Sequence, residues 1–499
     1  MKNKFLYNAS VIVMAAGVMS SCSKLLDKNP TTQGIYSTDT SVSISAADAE
    51  ASVAGLYRYY KADNLEWSVF DKITNGDVIS DNCYAGGDNA DNITLDKFTA
   101  NSLNGNVNRD FADAYSFIGR ANVTIQNVSR SKDAALNETR RRQILAEAMF
   151  MRAFNYFDLV RLYGGVPLKL VPSDNSTAET LIETSLKPRS GVDSVYEAIL
   201  NDLWYAKDNA QDVGATSSKY IVSKGAAWAT LAKVYSSMPT PNWDSVSYYC
   251  DKVIPSYTLL SDYNFLWDNA HKSNSEAIWE MVFDGYDTGD KVGNWVPSIF
   301  VGYDDATKQF IGGGWKKFST PTNDLVKLFV NDGDSVRLHA SITFLNVTGQ
   351  FNDSYWAVSR YPFITKYNDP NHGTNDFYML RLPEIMLLKA EALVHKGDIA
   401  GAMNLVKTLR ARVGLAAKTA TTADQANQVI ADERRQELAF EGIRWFDLLR
   451  TGKAQEVMQA QKDGNGTSLG YSVPDYRLLM PIPQQQIDLN PKLVQNPGY

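Results

Sequence analysis

Apolar positions recur three and four apart along much of this chain, the spacing that lines up one face of a helix. That periodicity predicts helices over Ala46 to Ala62, Arg109 to Val128, Asn137 to Tyr163, Val192 to Ala210, Ser223 to Met238 and Trp243 to Ile254. In the third, Leu145, Ala148, Met149, Ala153, Tyr156, Phe157 and Val160 share a face, and Gly164-Gly165 followed by Pro167 stops the helix. From about Pro255 to Tyr378 the texture changes to turns, glycines and aromatics, with one strand-like run, Ala277 to Phe283. Helical spacing returns over Pro383 to Lys396, Ile399 to Arg412 and Asp424 to Arg450, and a Pro-rich coil with a short helix near Gln484 to Leu489 closes the chain. The fold class is mainly α.

Two helix pairs look like tetratricopeptide-type helix-turn-helix units, in which alanines let helices approach and a large residue fills the gap. One runs Ala227 to Tyr235 and turns through Pro239 and Pro241 into Trp243 to Ile254. The other runs Leu387 to Leu393 and turns at Gly397-Asp398 into Ala402 to Arg410. No strict 34-residue period links them, so an irregular array and unrelated amphipathic hairpins both remain open.

The N-terminus reads differently. Lys2 and Lys4 precede a short apolar run, Val11 to Val18, in the manner of an export signal and too short to cross a bilayer. Val18-Met19-Ser20-Ser21-Cys22 resembles the lipobox cut by lipoprotein signal peptidase, which implies residues 1–21 as signal and lipid on Cys22; an ordinary secretory signal is the alternative. Ser23 to about Thr40 is a polar tether with too few apolar residues to pack. Charges interrupt every later apolar run, so none reads as a membrane span. Only Cys83 and Cys250 remain, too few for a disulfide framework, and whether they pair is not legible. With 44% hydrophobic and 11% aromatic residues a substantial core is assured, and a net charge of -7 argues against nucleic acid and favours neutral ligands.

Two segments share a vocabulary: Arg141-Arg142-Gln143-Ile144-Leu145-Ala146 leading to Phe157-Asp158-Leu159-Val160-Arg161, and Arg434-Arg435-Gln436-Glu437-Leu438-Ala439 leading to Phe446-Asp447-Leu448-Leu449-Arg450. Acids and arginines such as Arg434, Glu437, Glu441 and Arg444 are spaced for a charge ladder along one helix. The same segments, with Tyr163-Gly164-Gly165-Val166-Pro167, Ser275 to Glu280, Arg381-Leu382-Pro383-Glu384 and the closing Gln495-Asn496-Pro497-Gly498-Tyr499, resemble the SusD/RagB family of outer-membrane nutrient-binding lipoproteins. The resemblance spans nearly the whole mature chain. It implies a tetratricopeptide-like superhelix with a loop-rich variable C-terminal half: an N-terminal helical domain over 22–254 and a C-terminal domain over 255–499, variable over 255–378 and helical again over 383–450. It further implies a non-enzymatic, lipid-anchored protein at the cell exterior that captures a glycan and passes it to a SusC-like TonB-dependent transporter. RagB-like peptide binding is the alternative, and a surface glycoside hydrolase a more distant one.

A neutral sugar is held by flat aromatic rings against its apolar face and a few polar groups at its edge. The loop from Asp81 to Asn89 sits where the family often places such contacts, which makes Asp81, Asn82 and Tyr84 ligand candidates; Trp295, Tyr303 and Trp315 form a second set, the last following Gly312-Gly313-Gly314, with Tyr286 a weaker candidate. For each the alternative is a ring packed in a core. Trp228, Trp279 and Trp445 lie in periodic or strand-like segments and read as structural. Gly466-Thr467-Ser468-Leu469-Gly470 matches a nucleophile pattern but lacks the strand-to-helix context. His271, His339, His372 and His395 are scattered, and Asp284, Asp287 and Asp290 lack calcium-loop spacing, so no metal or cofactor is expected.

Overall fold

The helices begin on side chains that satisfy their orphan backbone donors. The computed structural model describes residues 43–499 apart from 215–218, 287–291, 305–306, 313–314, 368 and 370–371. Its longer helices are α1 (Ala46–Lys61), α2 (Gly105–Arg130), α3 (Glu138–Tyr163), α4 (Val192–Asn209), α5 (Lys224–Ser237), α6 (Trp243–Val253), α7 (Asn323–Asp332), α8 (Leu382–His395), α9 (Ile399–Arg412) and α10 (Ala423–Glu437). Ser45, Asn104, Asn137, Ser223, Asn242, Asp398 and Thr422 each accept a backbone N–H at the start of their helix, a contact that contributes about 1 kcal/mol. Gly164, at a φ of 73°, ends α3 where the glycine pair predicts.

α5 packs on α6, α8 packs on α9, and α6 lies against α8, so the two expected hairpins are neighbours in one helical stack. Their contact faces are small: Ala226, Ala227, Ala229, Ala232, Ala390, Ala392 and Ala402 are all buried. Among the described residues strands are few and short, in three antiparallel pairs: β1 (Cys83–Tyr84) with β3 (Thr320–Pro321), β2 (Ala277–Met281) with β6 (Phe377–Arg381), and β4 (Ile342–Leu345) with β5 (Tyr361–Ile364). The fold is mainly α, with Ile44–Tyr499 forming one contact unit. Cys83 and Cys250 are both free and buried. Cys22, Asp287, Asp290, Gly313 and Gly314 lie outside the described residues.

The helix expected from Asp424 to Arg450 is instead two, α10 and a short helix Arg444–Arg450. Between them Phe440 and Gly442 take φ values of 66° and 74°. Gly442 meets Gly76 backbone to backbone: a Cβ on Gly76 would lie 2.1 Å from the Gly442 carbonyl carbon, and one on Gly442 would lie 2.4 Å from the Lys72 carbonyl oxygen. A continuous helix would carry side chains into that contact. Opposite it the chain forms two π-helical turns, Glu66–Phe70 and Thr74–Val78, on either side of Asp71–Ile73.

In the first related segment Arg141 and Arg142 pair along the helix with Glu138, at 3.3 and 2.9 Å, but in the second Arg434, Glu437, Glu441 and Arg444 do not pair with one another as a ladder would have them. Glu433, Glu437 and Glu441 reach instead across the molecule into a buried lattice. Arg381 holds Glu441 at 2.6 Å, Glu437 at 2.7 Å and Glu276 at 3.2 Å. Arg337 holds Glu433 at 2.7 Å and Glu437 at 3.0 Å, Arg412 holds Glu276 at 2.8 Å and also Glu437, and Lys366 holds Glu441 at 2.7 Å. Burial alone raises the Glu437 carboxyl, but Arg412, Arg381 and Arg337 outweigh it and hold the group well below the usual carboxylate range. The two related segments also meet: the Arg161 guanidinium lies 4.0 Å from the Phe157 ring centre and 3.8 Å from that of Phe446.

Candidate functional site

The Asp81 to Asn89 loop is fixed from behind by the C-terminal segment. Arg444 donates to both Asp81 carboxylate oxygens, at 2.7 and 2.9 Å, and Arg435 donates to the Asp81 carbonyl and, at 2.9 Å, to Asn82 Oδ1. Asn82 Nδ2 donates to Asp77 at 2.7 Å, and Asp77 accepts the Gly442 N–H at 2.6 Å. Burial pushes the Asp81 carboxyl up, yet Arg435 and Arg444 bring it down to about 2. Asp81 and Asn82, candidate ligand contacts by sequence, are thus buried, with their polar groups engaged by Arg435, Arg444 and Asp77.

Tyr84, on β1, is only 2% exposed. Its ring stacks on Tyr355 with centres 4.1 Å apart and planes 16° from parallel, and its hydroxyl donates to Asp353 at 3.0 Å. Tyr303 is 1% exposed and packs in a cluster with Val301, Val347, Tyr361 and Phe363. Trp315 joins the same cluster half-buried, 5.2 Å from Phe363, 6.0 Å from Tyr361 and 5.1 Å from Phe351. Trp295 lies apart, half-buried against Phe70 at 5.5 Å. Tyr286, the weaker candidate, is exposed at 46% and lines neither group.

Tyr84, Tyr303 and Trp315 thus belong to one aromatic layer, joined through Tyr361 and Phe363, whose inner rings are buried. Its outer rings, Phe310, Trp315, Phe351 and Tyr355, are half-buried and reach solvent. Lys317 crosses the layer, paired with Asp353 and 5.5 Å from the centre of the Phe351 ring. Beside it a shallow recess is walled by Tyr84, Tyr355 and Tyr471, with Asn323, Gln461 and Lys462 supplying polar groups. Tyr471 donates to Asp96 at 3.0 Å, and Asn323 Nδ2 donates to the Tyr355 carbonyl at 2.8 Å, which sets the orientation of both walls. Burial raises the Asp96 carboxyl to about 7 against the donors Ala85 N–H and Tyr471 hydroxyl.

Phe310, Phe351, Tyr355 and Tyr471 escape a reading of the sequence. The dense run Phe351-Asn352-Asp353-Ser354-Tyr355-Trp356, which mixes rings with amide and carboxylate groups, is the signal that marks two of them. Chemically the surface suits binding: ring faces flanked by amides, with its nearby acids committed. Asp353 is held by Lys317 and Tyr84, and Asp96 by Ala85 and Tyr471.

A stack of helical hairpins that carries a loop-rich region with ring faces at its surface is a tetratricopeptide-like scaffold. The SusD family model matches residues 345–499, and a second, described as starch-binding associating with outer membrane, matches residues 25–236. The chain belongs to the SusD/RagB family. The SusD-like protein P2 of Formosa agariphila is 29% identical over 449 residues, covering 81% of this chain and 83% of that one. The starch-binding protein SusD of Bacteroides thetaiotaomicron is 24% identical over 416 residues, 71% of this chain and 72% of its own. A solved laminarin-binding SusD-like protein superposes with a TM-score of 0.73 at 27% identity, covering 91% of this chain and all of that one (100%).

Proposed function

We propose that the protein is a cell-surface lipoprotein, anchored to the outer membrane through Cys22, that binds a glycan and delivers it to a SusC-like TonB-dependent transporter. The observation that carries the binding reading is the aromatic layer, whose outer faces at Phe310, Trp315, Phe351 and Tyr355 stand beside the amides and hydroxyls of the recess. Rings of this kind cover the apolar face of a pyranose, while Asn323, Gln461 and Lys462 meet its hydroxyls. Kinship with proteins that bind starch and laminarin supports the ligand class, and the outer-membrane association in the name of one matching family model supports the location. In this reading the packed helices on both sides of the 254/255 division are scaffold, and the stretch 255–378 carries most of the ring faces, with Tyr84 of the first part at their edge.

The role is capture rather than catalysis. A few half-hidden rings give micromolar to millimolar affinity, which suits a protein that must release its cargo. Lipid at Cys22 would hold that weak face beside a transporter and keep its effective concentration high. Titration of the purified protein with starch and laminarin oligosaccharides tests the reading, with heat of binding and no new reducing ends expected. Binding of peptides and of no glycan would move the assignment to a peptide carrier, and release of reducing ends to a hydrolase. Copurification with a TonB-dependent barrel from membranes tests the delivery step.

A further inference from the structure

A separate cleft of about 300 Å³ opens between α1, the segment at Tyr220 and β2. Its walls are Tyr57, Tyr60, Tyr220 and Trp279, and Arg58, Lys61 and Asp284 stand among its lining residues. None of these residues belongs to the aromatic layer described above. The volume sits at the lower end of the range that small ligands occupy, ~300–1,000 Å³.

Three features separate this cleft from a packing defect. Two of its rings are pinned by their polar tips. Tyr57 donates its hydroxyl to Glu147 at 2.9 Å and accepts the Val222 N–H at 3.0 Å, while Trp279 Nε1 donates to the Tyr220 carbonyl at 3.1 Å. The rings therefore cannot relax inward to fill the space, although filling it would recover dispersion contacts. Tyr57 and Tyr220 meet at 90° with centres 6.0 Å apart, which makes a corner of two faces, and Tyr220 is 42% exposed at its outer edge. Trp279 and Tyr60 lie nearly parallel, 8° apart, behind that corner.

The charge at the cleft is mixed, with Arg58 and Lys61 beside Glu280 and Asp284 among its lining residues. Lys61 pairs with Asp284 at 3.1 Å and donates to the Val282 carbonyl at 3.1 Å, so its ammonium brings its own counter-charge. An ionic ligand there would compete with that pair. A neutral polyol would not, because the pair offers donors and acceptors side by side, as vicinal hydroxyls require. An apolar corner beneath such a pair matches a pyranose, apolar on its face and polar at its edge.

We propose that this cleft is a second carbohydrate site, which takes a short neutral stretch of a glycan in the corner of Tyr57 and Tyr220 independently of the aromatic layer. The proposal rests on the glycan reading above for its choice of probe. Calorimetric titration of the full chain with maltose, laminaribiose and longer starch and laminarin oligosaccharides is the experiment, on wild type, Tyr220→Ala and Ala54→Trp. Ala54 is exposed on the cleft wall, so the tryptophan fills the space and removes no core contact. Wild type shows two binding events; either variant weakens one of them tenfold or more and leaves the other and the melting temperature in place, while Trp315→Ala weakens the remaining one. A single event lost with Trp315→Ala and indifferent to both cleft variants overturns the second site alone. A single event lost with the cleft variants and indifferent to Trp315→Ala supports the cleft and overturns the layer as the glycan face. No binding of any of these sugars overturns both.

Discussion

The lattice around Arg381 and the aromatic layer around Phe363 are both well packed, yet they are held by opposite means. In the lattice, Arg337, Arg381, Glu276 and Glu437 are essentially sealed from water and each charge faces an opposite one. In the layer, cohesion comes mainly from ring edges and faces at 4.1 to 6.0 Å, and the outermost rings stay in contact with solvent. Ion pairs are directional and fix one register between distant segments, whereas rings are tolerant and leave usable apolar surface. The difference gives the lattice the fixed ties between distant segments and leaves the layer with apolar surface open to solvent.

Removing one partner of the lattice is expected to have the largest effect. Glu437→Leu leaves Arg337, Arg381 and Arg412 short of a counter-charge and costs about 3–5 kcal/mol, read by urea unfolding. A loss below about 1 kcal/mol would mean that the lattice is not what holds the scaffold. Acid probes the same ties. Asp81 falls to about 2 in the fold and Glu437 is also lowered, so their contribution is complete above the unfolded carboxylate range near ~4 and is lost as pH falls towards 2. Asp96 runs the other way: its carboxyl, raised to about 7, favours the fold while protonated, and that contribution is lost as pH rises from about 4 through 7. A melting temperature measured across pH 2 to 8 in roughly unit steps should drop steeply at the acid end; a flat acid limb would contradict the assigned pairs.

Gly442→Ala tests the backbone contact that splits the last long helix. With φ at 74° and the Lys72 oxygen 2.4 Å from the new Cβ, it should destabilise by about 1–3 kcal/mol. An unchanged unfolding midpoint would remove that explanation of the break. Tyr355→Ala is expected to lower glycan affinity about tenfold, or ~1.4 kcal/mol, with a smaller effect on unfolding than Glu437→Leu. If it instead unfolds the protein while leaving affinity intact, the contrast between the two regions is reversed.

Much of the scaffold is legible in the sequence because its signals are local. The apolar stripe of α3, its Gly164-Gly165 stop and the alanine faces of the two hairpins all lie within a few turns of each other. The lattice is not legible, since its partners are remote: Arg444 and Asp81 stand 363 positions apart, and Arg435 and Asn82 353. Spacing within one segment suggests a helical ladder, but buried charges choose partners by position in space. For the same reason the sequence does not show that Asp81 and Asn82 are buried against Arg435 and Arg444. Aromatic richness in the loop-rich stretch does not separate Trp295, which lies apart, from the layer, nor an inner ring such as Tyr303 from an outer one such as Trp315.

The division of labour is tested most directly by calorimetric titration of wild type and Trp315→Ala with laminarin and starch oligosaccharides, alongside melting temperatures of both. Saturable binding by wild type that weakens at least about tenfold in Trp315→Ala, with the fold retained, is the predicted result. Glycan binding of undiminished affinity at every site in a folded Trp315→Ala would contradict it.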